Sequence, residues 1–189
     1  IESAILAGDT EFGYSVMRLV AKMDVGPIYH QASFKDLALD KAMIYHKLAE
    51  AGATWIAEHL AEIRNLEPTA QDESAATYTE KFAKENNSEL KPADSPAWQI
   101  YRQIVAFQSF PKPKYQIFGK QCIILSAKLE NDPAEEILNG ATEVANQIYY
   151  TKKRIFLACG DRKLVEILRL QPEGKRPMDA AGFINGYAK

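Results

Sequence analysis

Two apolar, β-branched runs separated by six polar and turn-forming residues constrain this chain more than any other feature. Residues 14–21, Tyr-Ser-Val-Met-Arg-Leu-Val-Ala, have the composition of a strand and end at Lys22-Met23-Asp24-Val25-Gly26-Pro27. A second run of the same kind follows over 28–34. The pattern predicts a strand, a charged turn and a returning strand. An acidic side chain in such a turn is held by the backbone at a sheet end, where functional groups concentrate. Asp24 is therefore the first candidate for chemistry. Asp and Gly also form turns for structural reasons alone, because Asp bonds its own backbone and Gly accepts positive φ.

The opening Ile1-Glu-Ser-Ala-Ile-Leu-Ala-Gly8 reads as the tail of a helix already under way, and with Ile at position 1 the chain is expected to be a piece of a longer protein. Its 189 residues, 47% hydrophobic and 25% charged, suffice to bury a core in one large or two small domains. No apolar run approaches the roughly 20 residues that span a bilayer, and no stretch has the pattern of a signal peptide, so a cytoplasmic setting without membrane partners is expected. Cys122 and Cys159 stand far apart with no C-x-x-C pair, which suggests neither a disulfide framework nor a metal site. The charge is uneven: residues 1–77 carry 6 Lys/Arg against 12 Asp/Glu, and 78–189 carry 17 against 13. The net values, −6 and +4, point to a polyanionic partner for the second part or, equally, to an ordinary solvated surface.

Beyond the second strand, Asp40 is placed to cap a helix over 41–64, with Ile44, Leu48, Ala51, Trp55, Ile56, Leu60 and Ile63 forming its buried stripe. His30, His46 and His59 read as structural. Residues 65–90 lose periodicity and read as a linker with one ordered patch. Ser95-Pro96 predicts a helix start, Ser as cap and Pro at the first position, for a helix that breaks at Phe110-Pro-Lys-Pro. Short strands are then expected over 115–118, 121–128, 136–138, 148–151, 155–159 and 163–170, with a turn at Gly119-Lys120, as in a small β-barrel. A last helix is expected over 179–185. The three domains read are 1–66, a linker 67–90, and 91–189.

Gly8, Thr10, Gly13, Ser15, Asp24, Gly26 and Ile28 fall at fixed offsets, Asp24 eleven residues after Gly13. They resemble the second half of the signature G-x-T-x-x-G-x-[TS] … D-x-G-x-[IM] of formyltransferases that use 10-formyltetrahydrofolate. Phe12 stands where Thr is common, and Ser15 replaces Thr but keeps the hydroxyl. Three further stretches resemble one branch of that family, the methionyl-tRNA formyltransferases. Tyr78-Thr-Glu-Lys81 is similar to the branch's linker motif Y-x-x-K, and Ala106-Phe107 with Phe110-Pro111 to its R-A-F-x-P-x-P. Leu170-Gln171-Pro172-x-Gly174-Lys175-Arg176-Pro177-Met178, the most specific match, resembles L-Q-P-x-G-K-[KR]-x-M.

The resemblance implies an α/β fragment, the end of a formyltransferase-type Rossmann-like domain, followed by a small OB-like β-barrel that holds a tRNA acceptor arm. It implies formyl transfer from 10-formyltetrahydrofolate to initiator methionyl-tRNA, by a protein monomeric at full length. Asp24 takes the place of the family's aspartate, which orients a histidine and a water; Met23, Val25 and Gly26 take the place of the folate-pocket wall. The Asn-x-His strand and Ser-Leu-Leu-Pro loop that complete the family's site are absent from these residues, so the chain by itself is expected to be inactive. Lys81 and Lys84, with Lys112 and Lys114, are the candidate RNA contacts. Lys120, Lys152-Lys153-Arg154 and Lys175-Arg176 supply further cations, and Tyr78, Phe110 and Tyr115 are available either to stack on bases or to join the core. A sugar-nucleotide or other folate-dependent formyltransferase, and a non-catalytic RNA-binding protein, remain the alternative readings.

Overall fold

The computed structural model describes residues 1–130, 137, 139, 141–144 and 147–188. The fold is mixed α/β, and the chain divides into two compact units. The first takes Ala7–Glu80 with Ile1 and Ser3; the second takes Lys81–Lys189 with Glu2 and Ala4–Leu6. The opening residues form a short helix, α1 (Glu2–Ala7), with Ile5 buried.

In the first unit, β1 (Glu11–Met17) and β2 (Ile28–Lys35) form an antiparallel pair in which Phe12 faces Phe34 and Val16 faces His30. β1 thus starts three residues before the expected strand and stops four residues before its end. The register shifts between Val16 and Met17, and the ladder closes with Arg18 N–H donating to Pro27 O at 2.9 Å. Leu19 and Val20, apolar enough to extend a strand on paper, are 88% and 46% exposed. The tight turn is in fact a ten-residue loop, 18–27.

The helix α2 (Lys41–His59) is capped as expected, Met43 N–H donating to Asp40 Oδ1 at 3.0 Å. Ile44 and Leu48 are buried, and Tyr14 Oη donates to Ala51 O at 3.2 Å. The helix ends five residues short of expectation because its last apolar positions face away from the unit: Ile56 and Leu60 are 41% and 62% exposed. The chain tightens instead into a 3₁₀ turn over Ile63–Asn65. His30 and His59 both stack on Trp55, with centroids 5.0 and 4.4 Å away.

The second unit holds α3 (Lys84–Asn87), α4 (Ala97–Ala106) and a seven-stranded antiparallel sheet. Its strands are β3 (Lys114–Ile117), β4 (Lys120–Leu129), β5 (Thr142–Val144), β6 (Ile148–Tyr150), β7 (Ile155–Ala158), β8 (Leu164–Pro172) and β9 (Met178–Asp179). Their order is β3-β4-β8-β7-β6-β5, with β9 also paired to β8. Five of the expected strands match within one or two residues; β5 and β9 are additions too short to leave a pattern, and of the expected strand over 136–138 only residue 137 is among the described residues. The core joins Ile100 and Ile104 of α4 to Ile124, Leu157 and Ile167 of the sheet. The final helix α5 (Ala180–Tyr187) adds Phe183 and is capped by Asp179, whose Oδ1 accepts from Gly182 N–H at 2.7 Å.

Two local expectations are corrected. The β3–β4 turn is Phe118-Gly119, with φ of 49° and 72°, the double positive φ of a two-residue hairpin, rather than Gly119-Lys120. Phe118 meets Tyr150 edge-on and stacks on Phe183, packing that offsets its unfavourable backbone. Ser95 does not cap α4: the cap position is Pro96, and Ala97 N–H donates to Asp161 Oδ1 at 3.1 Å from the β7–β8 turn.

Candidate functional site

The loop 18–27 forms one wall of a cleft of about 1110 Å³ in the first unit. Asp24 stands in it with φ of 60°, a conformation that Asp tolerates better than most residues. Met23, 83% exposed, and Val25 line the cleft beside it, with His30 of β2 on the floor. Gly26 does not line it. An added Cβ at Gly26 would sit 1.7 Å from Arg18 O, so the glycine is required by the approach of the chain to its own backbone.

The opposite wall comes from residues 69–79, part of the stretch that reads as linker. Ile28 and Thr69 exchange two backbone hydrogen bonds of 2.8 Å, extending β2 by one bridge. Gln71 Nε2 then donates to Asp24 O at 3.0 Å and to Gly26 O at 2.7 Å. Lys22 Nζ lies 3.6 Å from Glu73 Oε1. Asp72 accepts from the hydroxyl and the backbone N–H of Ser74, which lower its carboxyl below the ordinary range, the hydroxyl most. No local pattern marks Gln71, because its bond to Gly26 spans 45 residues. His30, read as structural, is both stacked and cleft-lining.

Of the candidate cations, three are drawn together in the second unit. Lys114 N–H donates to Ser88 O at 2.7 Å and Lys114 O accepts from Leu90 N–H at 3.0 Å, while Ser88 Oγ donates to Pro111 O at 3.1 Å. The segment beginning at Lys84 therefore runs beside Lys112 and Lys114. Lys81, Lys84 and Lys112 are exposed and Lys114 half-buried. Arg154 belongs elsewhere: its Nη2 lies 2.6 Å from Glu130 Oε1 and 2.8 Å from Glu166 Oε2, its Nε donates to Glu166 Oε1 at 2.8 Å, and its guanidinium covers Phe156. That charge is paired with two carboxylates of the second unit. Tyr78, 86% exposed, lines the cleft of the first unit; Phe110 is 49% exposed; Tyr115 packs against the core, its hydroxyl pKa raised by burial and then by Cys159.

The cysteines are not nucleophiles at neutral pH, since burial pushes the Cys122 thiol up to about 11 and the Cys159 thiol up to about 12. Among the described residues, no three His, Cys, Asp or Glu side chains gather as a metal site.

The family described as "Formyl transferase, C-terminal domain" matches residues 84–188, more than half of the chain. The chain belongs to this formyltransferase family. Curated relatives that match it bear the name methionyl-tRNA formyltransferase: those of Jannaschia sp. (strain CCS1) and Methylococcus capsulatus are each 34% identical, over 98% and 100% of this chain and 57% and 59% of their own length. The chain thus spans less than two-thirds of these relatives. Among solved structures, HypX from Aquifex aeolicus in complex with tetrahydrofolic acid superposes with a TM-score of 0.75 at 17% identity, over 100% of this chain and 32% of that one. WlaRD, a sugar 3N-formyltransferase solved with dTDP and 5-N-formyl-THF, does so with a TM-score of 0.61 at 19% identity, over 92% and 59%. At those identities the formyltransferase fold is what is shared.

In this formyltransferase family member, the cleft is lined by a carboxylate on a constrained turn and by the imidazole of His30, and backbone and amide hydrogen bonds tie the loop 18–27 to residues 69–71. Such a group can orient a proton carrier and hold a water.

Proposed function

We propose that these residues form the downstream part of a methionyl-tRNA formyltransferase, which moves a formyl group from 10-formyltetrahydrofolate to the amino group of initiator methionyl-tRNA. The supporting observation is 34% identity to relatives of that name along 98–100% of the chain, across both units. The first unit is read as the end of the Rossmann-like catalytic domain and the seven-stranded sheet as an OB-type barrel. The intact protein is read as a cytoplasmic monomer that needs no metal.

In the transfer, the methionyl nitrogen attacks the formyl carbon and the carbonyl oxygen becomes an oxyanion. The C–N bond to folate then breaks, a proton reaching the folate nitrogen while the attacking nitrogen loses one. Asp24 is assigned the orientation of the general base and its water, an arrangement realised chiefly in the transition state. Met23 and Val25 are assigned to the folate wall; Gly26 supports them by letting the loop close on Arg18. None of His30, His46 and His59 follows an Asn two residues earlier, so residues 1–189 by themselves are proposed to transfer no formyl group. Lys81, Lys84, Lys112 and Lys114 are assigned to tRNA phosphates.

The intact protein, offered 10-formyltetrahydrofolate and either methionyl-tRNA or an amino-sugar nucleotide, tests this reading. Formylation of methionyl-tRNA alone is expected. Transfer to the sugar alone would replace the reading by the sugar-nucleotide alternative, and tRNA binding without any transfer by the non-catalytic one.

A further inference from the structure

We propose that Gln71 is a positioning residue for Asp24, so that the strap 69–75 is part of the catalytic apparatus rather than a spacer; this rests on the formyl-transfer reading above. The Gln71 amide donates to the two carbonyls that flank Val25, those of Asp24 at 3.0 Å and Gly26 at 2.7 Å. Two carbonyl oxygens can be met only by the nitrogen of a side-chain amide, so the orientation of Gln71 follows from its partners. Asp24 needs such a hold. A non-glycine residue at φ of 60° sits in a sparsely populated conformation, and released it would return to an extended or helical basin and swing its carboxylate away.

The other two ties to the strap cannot do this. The Ile28–Thr69 bridge fixes the base of the strap, on the far side of Pro27 from the aspartate. The Lys22–Glu73 pair joins side chains that are 65% and 74% exposed, and exposed pairs contribute little. Of the three, Gln71 is the one that bonds the backbone of Asp24 and Gly26 themselves. It reaches Asp24 through two backbone carbonyls, and so sets where the carboxylate points. A displacement of about 1 Å at a catalytic group lowers turnover by about 100-fold.

The test is Gln71→Glu in the intact protein, which keeps the shape and removes the donor, with Gln71→Lys restoring a donor. Expected for Gln71→Glu are a fall in kcat of about 10-fold or more, a donor KM within about threefold of the parent, and faster amide exchange at Asp24, Val25 and Gly26 with the seven-stranded sheet unchanged. Gln71→Lys is expected to recover most of both effects. Unchanged exchange in the loop, or raised exchange with unchanged kcat, would overturn the proposal. If the parent protein transfers no formyl group, the functional reading fails separately. The exchange of residues 24–26 then decides this one: raised in Gln71→Glu supports it, unchanged overturns it.

Discussion

At Gly26 the room for a side chain is already occupied, since an added Cβ would lie 1.7 Å from Arg18 O. Backbone cannot step aside as a flexible side chain can, so Gly26→Ala is expected to cost about 1 to 3 kcal/mol and to open the loop. Urea unfolding of the chain measures this; a variant as stable as the parent contradicts the geometry. The offsets among Gly13, Asp24 and Gly26 were enough to single out the turn from sequence. The reason for the glycine was not legible, because its neighbour is Arg18, eight residues earlier in a loop whose shape no periodicity encodes. Leu19 and Val20 misled for a related reason: composition reports an apolar preference, and only the ladder's end at Arg18 and Pro27 shows that preference unmet.

Helix starts separate the local from the distant in the same way. Asp40 and Asp179 cap α2 and α5 from the adjoining position, and the first was read directly from sequence. The cap of α4 is Asp161, 64 residues away, and Ser95-Pro96 offered a plausible local substitute that the chain does not use. Asp161→Ala is expected to destabilise the second unit by about 0.5 to 2 kcal/mol, and Asp161→Asn by less, in thermal or urea unfolding. Immediately before β7, Arg154 serves two carboxylates, Glu130 with a side chain 3% exposed and Glu166 with one 11% exposed. Its hydrogen bonds hold the Glu166 carboxyl below its ordinary value of 4.5, outweighing the burial that raises it. A carboxyl depressed on folding stabilises above that ordinary value, and the contribution is lost as pH falls through the folded one. Arg154→Met leaves buried carboxylate behind and should cost about 1 to 3 kcal/mol at neutral pH, less than a fully buried pair because Arg154 is 41% exposed. Its stability should also fall less steeply than the parent's below pH 4.5. An equal acid slope in both proteins would remove Arg154 as the cause.

Across the whole molecule the charge division, −6 over 1–77 and +4 over 78–189, goes with the candidate phosphate contacts Lys81, Lys84, Lys112 and Lys114. If three or four of them meet tRNA phosphates, log affinity of the chain for tRNA should fall against log salt with a slope of roughly −2 to −4. Lys81→Ala with Lys84→Ala should flatten it, and an affinity indifferent to salt would leave the sheet without this partner. The strand-rich second unit was legible at this scale because turn residues punctuate it. The cleft was only half legible: its aspartate wall carries a pattern, whereas the 69–79 wall is polar, aperiodic and held by bonds to residues more than 40 positions away. The central claim is that Asp24 supports formyl transfer, and one measurement tests it most directly: steady-state formylation of initiator methionyl-tRNA by the intact protein and its Asp24→Asn variant. A fall in kcat of about 10²- to 10⁴-fold with the 10-formyltetrahydrofolate KM nearly unchanged is expected; turnover near that of the parent would contradict the account.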